Sequence, residues 1–177
     1  MMTLHVTHVK RRRKLFLMGN AQSKHGGARV RFPPPLVFLL LIVCGVSLQR
    51  WLSPLTIASG SWLGVVAGTS IAVGGAALML NARRWFSRTG QHPAPWLPSP
   101  ELLVQGVYRY TRNPMYLGFT LFQVGLGIAA DNGWIAMLAP VSLLIVHFLA
   151  VRPEEAYLGE TFGQSYRNYT RSVRRYL

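Results

Sequence analysis

Four apolar runs constrain this chain more than any other feature: residues 36–52, 62–80, 115–130 and 134–151. A helix that crosses a bilayer needs roughly 20 mostly apolar residues, with a range of about 17–25. The second run carries no charge, and the first is apolar until Gln49 and Arg50. The third is short, and counting from Thr111 lengthens it. The last two flank Asp131-Asn132-Gly133, a turn signal, and so read as a tight helical hairpin. Buried helices of a water-soluble bundle are the alternative, but four such runs in 177 residues leave too little polar chain to cover them. The sequence predicts an all-α integral-membrane fold with about four transmembrane helices.

The charge pattern supports this reading and orients it. Nineteen Lys and Arg against five carboxylates give a formal charge of +14. Eight basic residues, from Lys10 to Arg31, precede the first run. Arg83, Arg84, Arg88, Arg109 and Arg112 lie between the second and third, and Arg152, Arg167, Arg171, Arg174 and Arg175 follow the fourth. The opposite side has Arg50 alone. Excess Lys and Arg mark cytoplasmic segments, so both termini and the central loop are expected in the cytoplasm. Such residues also attract anionic membrane lipids. A nucleic-acid partner would want a known module or basic residues interleaved with exposed aromatics, and neither is present.

Three regions follow: a basic N-terminal segment (1–35), two transmembrane helices (36–82), and a region (83–177) holding the hairpin and a polar loop. Arg11-Arg12-Arg13 is similar to a twin-arginine signal, but the polar stretch 19–27 interrupts the apolar region such a signal needs. Either Met1 or Met18 can serve as the start. Cys44 is the single cysteine, which excludes an internal disulfide or a cysteine metal cluster; no metal site is expected. Gly64, Gly68, Gly74 and Gly75 in the second run, and Gly118, Gly125 and Gly127 in the third, suit close helix packing in lipid. His147 is expected to face the bundle.

The chemistry concentrates elsewhere. The loop 83–113 is long, contains Pro93, Pro95, Pro98 and Pro100, and runs into Tyr108-Arg109-Tyr110-Thr111-Arg112-Asn113-Pro114-Met115-Tyr116-Leu117-Gly118. Loops of such length tend to be functional. Pro114 suits the first turn of a helix, whose free N–H groups favour an anion. The fourth run exits into Arg152-Pro153-Glu154-Glu155. A hairpin brings its two ends together, so Arg112, Asn113 and Tyr116 are expected near Arg152, Glu154 and Glu155. The five acids are Glu101, Asp131, Glu154, Glu155 and Glu160, and two of them share this mouth. Adjacent carboxylates repel, so the residues alone suggest a site for a cationic ligand. An ordinary interfacial salt bridge is the plainer explanation.

The run 106–118, followed by Glu154-Glu155-Ala156-Tyr157-Leu158 and Phe162-Gly163-Gln164-Ser165-Tyr166, resembles the isoprenylcysteine carboxyl methyltransferases and the phospholipid N-methyltransferases grouped with them. The resemblance covers residues 84–177 in motif detail. It implies an integral-membrane enzyme using S-adenosyl-L-methionine at the cytoplasmic end of the last helix pair, with a lipophilic or lipid acceptor. It further implies that Leu102, Leu103, Tyr108, Asn113, Pro114, Tyr116, Glu154 and Glu155 hold the cofactor, and that Gly118 permits close backbone approach. Asn113 stands where the carboxyl methyltransferases usually have His; Asn-Pro-Met-Tyr is closer to the N-methylating branch, which leaves the acceptor open. A carboxylate acceptor needs no base, and Arg112 or Arg152 would orient it. An amine must lose a proton, to Tyr116, Glu155 or water. Two other classes remain: a membrane sterol or lipid reductase using NADPH, which carries a similar Arg-His-Pro run, and a non-enzymatic membrane scaffold. Tyr166, Tyr169, Val173 and Leu177 recur at helical spacing over 162–177, predicting an amphipathic helix on the cytoplasmic surface.

Overall fold

A computed structural model describes residues 27–28, 30 and 32–176. Most of the basic N-terminal segment, both candidate start methionines and Leu177 lie outside the described residues. The described chain is helical. It forms α1 (Pro34–Trp51), α2 (Trp62–Arg88), a 3-10 turn (Gly106–Arg109), α3 (Pro114–Ala129), α4 (Gly133–Val146), a π turn (His147–Val151), α5 (Arg152–Phe162) and α6 (Gln164–Ser172).

Three runs are long and apolar enough to cross a membrane: Pro34–Trp51, Trp62–Arg88 and Gly133–Phe162. The last is α4 continued through the π turn into α5. Its apolar part stops at Val151, and α5 beyond it carries Arg152, Glu154, Glu155 and Glu160. α3 is apolar but has 16 residues, about 24 Å at 1.5 Å per residue. Large apolar side chains face outward along α1, α2 and α4, among them Leu40, Val43, Val73 and Leu144. That is the surface expected of helices solvated by lipid. Trp51 and Trp62, 82% and 70% exposed, stand at the same end of the bundle, as interfacial tryptophans do.

Small residues set the helix spacing. A Cβ built on Gly75 would sit 2.6 Å from the Gly118 carbonyl oxygen, and one on Gly68 2.7 Å from that of Gly125. Gly125 likewise meets the Gly68 carbonyl at 2.6 Å. The pairs 68/125 and 75/118 run in opposite senses, so α2 and α3 are antiparallel and nearly touch backbone to backbone. α1 packs on α4, with Gly45 against Ile135 and Phe38 in a core with Val146, Ala150 and Val151. Phe38 also stacks on Phe119 of α3 at 5.2 Å. Between α3 and α4, the buried Ser142 hydroxyl donates to Gln123 Oε1 (2.8 Å), and Gln123 Nε2 donates to the Ile135 carbonyl (3.1 Å). Satisfying these polar groups internally is what allows them at this depth.

The four helices alternate in direction, which leaves two different ends. One holds the 52–61 connection and the hairpin turn. There the Asp131 carboxylate accepts from the backbone N–H groups of Ile57, Ala58 and Gly60, and these bonds hold its carboxyl below the usual range. Asn132 caps α4 by accepting from Ile135 N (3.1 Å). The other end holds the proline-rich loop, α5, α6 and the tail 173–176.

Two sequence expectations need correction and one is sharpened. α2 runs to Arg88, past the apolar limit at residue 80, because Arg83, Arg84 and Arg88 extend beyond the apolar layer on long stems. The Glu154-Glu155 pair, expected where the fourth run exits, lies on the helix that continues it. Pro153 cannot donate to Leu149 and its ring would crowd that carbonyl; the π turn just before it widens the helix there. The C-terminal helix is shorter than predicted. Gly163 at φ +52 breaks it from α5, it ends at Ser172, and Val173 is extended.

The glycine seam gives a matched pair of substitutions. Gly75→Ala is expected to lower stability by about 1–3 kcal/mol through overpacking. Gly74→Ala, whose Cβ would meet nothing within 4 Å, should leave it unchanged or slightly raised. Thermal unfolding of the two variants in detergent checks this.

Candidate functional site

The mouth at the charged end is assembled from four pieces of chain. Gly106, at φ +60, lies against the Trp85 indole with no room for a side chain, and its turn delivers Tyr108 inward. Tyr108 is buried edge-on to Phe86 (5.8 Å, 84°), and its carbonyl accepts from the Tyr169 hydroxyl at 2.7 Å. Tyr166, Tyr169 and Val173 of α6 and the tail pack on Leu102, Leu158 and Phe162. The Tyr157 hydroxyl, acting as acceptor, takes the Ser99 N–H at 3.1 Å.

Between these pieces is a cleft lined by Leu102, Leu103, Tyr108, Arg112, Asn113, Glu154 and Glu155, all expected from the sequence. Phe86, Gln91, Ser99, Glu101, Leu158, Tyr166 and Tyr169 complete it. Tyr169 was visible only as a helical pattern and Tyr166 as that and as part of the quoted motif, without a site role; Gln91 and Ser99 had no signal. The cleft is tight, about 50 Å³, room for a few waters. The 99–103 segment forms one wall.

The two neighbouring carboxylates have different fates. Glu155 is already paired: Arg112 Nη1 meets Oε1 at 3.0 Å, Arg175 Nη2 meets Oε2 at 2.7 Å, and Arg175 Nε reaches both oxygens. Glu154 has no cation within ion-pair distance among the described residues; the Tyr116 hydroxyl donates to it at 3.3 Å. Burial pushes the Glu154 carboxyl up to about 7, partly offset by that hydrogen bond, with Glu155 adding a further rise. Arg112 Nε is buried without a hydrogen-bond partner among the described residues. Burial also raises Tyr108 and Tyr169, and takes Tyr166 up to about 12. These hydroxyls stay protonated near neutrality.

Four expected residues sit apart from the cleft wall. Tyr116 reaches it only through its hydrogen bond to Glu154. Pro114 is fully buried at the start of α3, where it sets the entry of the chain. Gly118 faces Gly75 and Met79 of α2, so the close approach it permits is to a helix. Arg152 pairs with neither glutamate; its guanidinium lies over Phe148, 5.6 Å from the ring centre. The tail is the element that sequence reasoning missed. Arg112 N donates to the Arg174 carbonyl (3.0 Å). The Arg175 carbonyl accepts from Thr111 Oγ1 and Asn113 Nδ2, each at 3.1 Å.

A helical bundle with apolar outer faces and a polar cleft at the end of its last hairpin has the architecture of an integral-membrane protein. A sequence profile of the phospholipid methyltransferase family matches residues 48–165, two thirds of the chain, and the chain belongs to that family. It is also similar to two curated proteins over 74 residues, at 36% identity and 41% of this chain. These are a protein-S-isoprenylcysteine O-methyltransferase of Schizosaccharomyces pombe and protein-S-isoprenylcysteine O-methyltransferase A of Arabidopsis thaliana. The match spans 30% and 36% of their respective lengths. Of the two enzyme classes suggested by the motif, the family is the methyltransferase.

Glu154 also makes a prediction about stability. Its carboxyl is raised in the folded state from 4.5 to about 7. The folded protein therefore binds the proton more tightly than the unfolded chain does. The stabilisation is full below about pH 4.5 and is lost as pH rises through about 7. Glu154→Gln should remove this slope and raise stability at pH 8 by on the order of 2–3 kcal/mol. Parallel melts of both proteins at pH 5 and pH 8 measure it.

Proposed function

We propose that this protein transfers a methyl group from S-adenosyl-L-methionine to a lipophilic, membrane-dissolved acceptor. The observation that carries the reading is Glu154: a carboxylate in a cleft wall, held by one tyrosine and with no cation in ion-pair range among the described residues. A buried carboxylate without a counter-ion is costly, and a cationic ligand supplies one. The buried, unpartnered Arg112 Nε is suited to the carboxylate of the same amino-acid-bearing ligand. The cofactor, when bound, supplies an electrophilic methyl on a sulfonium whose leaving thioether is neutral.

The chain's own part is to bind and orient. Glu154 would hold the cationic portion and Tyr116 would fix the Glu154 rotamer. Leu102, Leu103 and Tyr108 would enclose the ligand and exclude water. Asn113 and Pro114 would set the floor, and Glu155 would hold Arg112 in place. The tightness of the cleft means that the 99–103 wall must swing outward to admit a ligand, as lids do. Holding two reactants in line can supply about 7–11 kcal/mol of the barrier, so no strong acid or base is required.

The acceptor is proposed to be a carboxylate. Both Glu155 oxygens are engaged by arginines and Tyr116 is donating to Glu154, which leaves neither ready to take a proton from an amine. Arg152, exposed beside Phe148 at the edge of the bundle, is positioned to receive an acceptor arriving through the lipid. The arginine distribution supports a site on the cytoplasmic face with both termini.

Incubating membranes with methyl-labelled S-adenosyl-L-methionine tests this. The expected product is a lipid-extractable label released as methanol by mild alkali, the behaviour of a methyl ester. An alkali-stable label would overturn the carboxylate acceptor in favour of an amine. Glu154→Ala should abolish binding of the demethylated product by calorimetry, and Tyr116→Phe should weaken it about 3- to 10-fold, the effect of losing one ordinary hydrogen bond. Undetectable binding by the intact protein would remove the methyltransferase reading altogether.

A further inference from the structure

Beyond the cleft, α6 and the tail border a second, open cavity of about 530 Å³, lined by Arg112, Thr170, Arg171, Ser172, Val173, Arg174, Arg175 and Tyr176. None of its lining residues is acidic. Among the described residues the counter-charge is Glu155, one carboxylate shared by Arg112 and Arg175. Among those residues, four guanidiniums against one carboxylate leave three positive charges around one concavity. The Arg171 and Arg174 side chains make no hydrogen bond or ion pair among the described residues and are exposed. Electrostatics of this kind recruit an anion, and guanidiniums suit phosphate oxygens above other groups.

The surroundings say what carries the anion. Tyr176, on the cavity wall, meets His147 Nδ1 of the π turn through its hydroxyl at 3.0 Å. His147 is edge-on to Phe148 at 5.1 Å. Phe148, Leu149 and Leu144 then form an outward apolar strip, each more than half exposed. A basic cavity joined through two aromatic rings to a lipid-facing strip matches an amphiphile with its charge at one end. We infer that this cavity is a binding site for the phosphate headgroup of an anionic phospholipid, whose acyl chains lie along Leu144, Phe148 and Leu149. The site is separate from the proposed methyl-donor cleft. Arg112 is the wall between them, so a bound lipid would brace the arginine that the donor cleft uses.

Native mass spectrometry of the full-length protein in detergent, with added phosphatidylglycerol or phosphatidylcholine, tests the assignment. The wild type should retain one phosphatidylglycerol in preference to phosphatidylcholine. Arg171→Gln with Arg174→Gln should weaken that retention about 30-fold, since each cation near an anionic headgroup contributes about five-fold. Phosphatidylcholine retention and binding of the demethylated cofactor product should be unchanged, and Arg171→Lys with Arg174→Lys should restore most of the lipid binding. Equal retention of the two lipids by the wild type, or undiminished phosphatidylglycerol binding by the glutamine variant, would overturn the proposal. Should the glutamine variant fold poorly, the wild-type lipid preference decides by itself. Protection of the wild type against heat by inorganic phosphate as strongly as by phosphatidylglycerol would mean a free-phosphate site and also overturns it. Failure of the donor reading would leave these results standing, because no donor is needed to obtain them.

Discussion

The charged end of this molecule depends on one carboxylate. Glu155 joins Arg112, which precedes α3, to Arg175, in the tail after α6, and itself sits on the helical continuation of α4. Three segments far apart in sequence are thereby tied at a point where lipid, water and cleft meet. Removing one partner from such a cluster leaves an uncompensated charge, costlier than the attraction lost. Consistent with that, the surrounding backbone is satisfied in concert: the carbonyls of Arg174 and Arg175 take the N–H of Arg112 and the side chains of Thr111 and Asn113.

Engaging Glu155 is also what isolates Glu154. Had both carboxylates been free, a cation could have been shared between them. With Glu155 neutralised twice over, the charge left at the cleft wall belongs to Glu154, and the Tyr116 hydroxyl fixes where it is. The bundle beneath contributes rigidity. The 75/118 and 68/125 glycine contacts hold α3 against α2 at a distance that side chains would forbid, so Tyr116 is presented from a helix with little freedom to retreat.

Much of this was legible in the sequence, and the misses have physical causes. Apolar length located the four helices within a few residues, because a lipid-facing helix cannot hide its composition. It failed at the end of α2, where arginine stems carry a helix past the apolar layer. The lining residues Leu102, Leu103 and Tyr108 were reached through a family resemblance, and the hairpin alone brought Arg112 and Asn113 to Glu154 and Glu155. Neither route distinguished Glu154 from Glu155, since residues adjacent on a helix point about 100° apart and only the surrounding elements decide what each meets. Arg175 was one of four arginines in nine residues, 167–175; nothing in that run marks the one that folds back. Gly118 was assigned to the ligand because of its position in the motif, whereas its space is taken by α2.

The π turn at His147–Val151 has a meaning for how such a site can change over time. A wide turn is a one-residue phase shift, about 100° of rotation for everything that follows it. Lengthening or shortening this turn by a residue would swing the whole acidic face of α5 around the helix axis, with repacking confined to Ala150 and Val151, which lie in the turn and meet Phe38. The turn therefore couples the helical scaffold to a rotatable set of charges, through which a single insertion or deletion re-aims the chemistry.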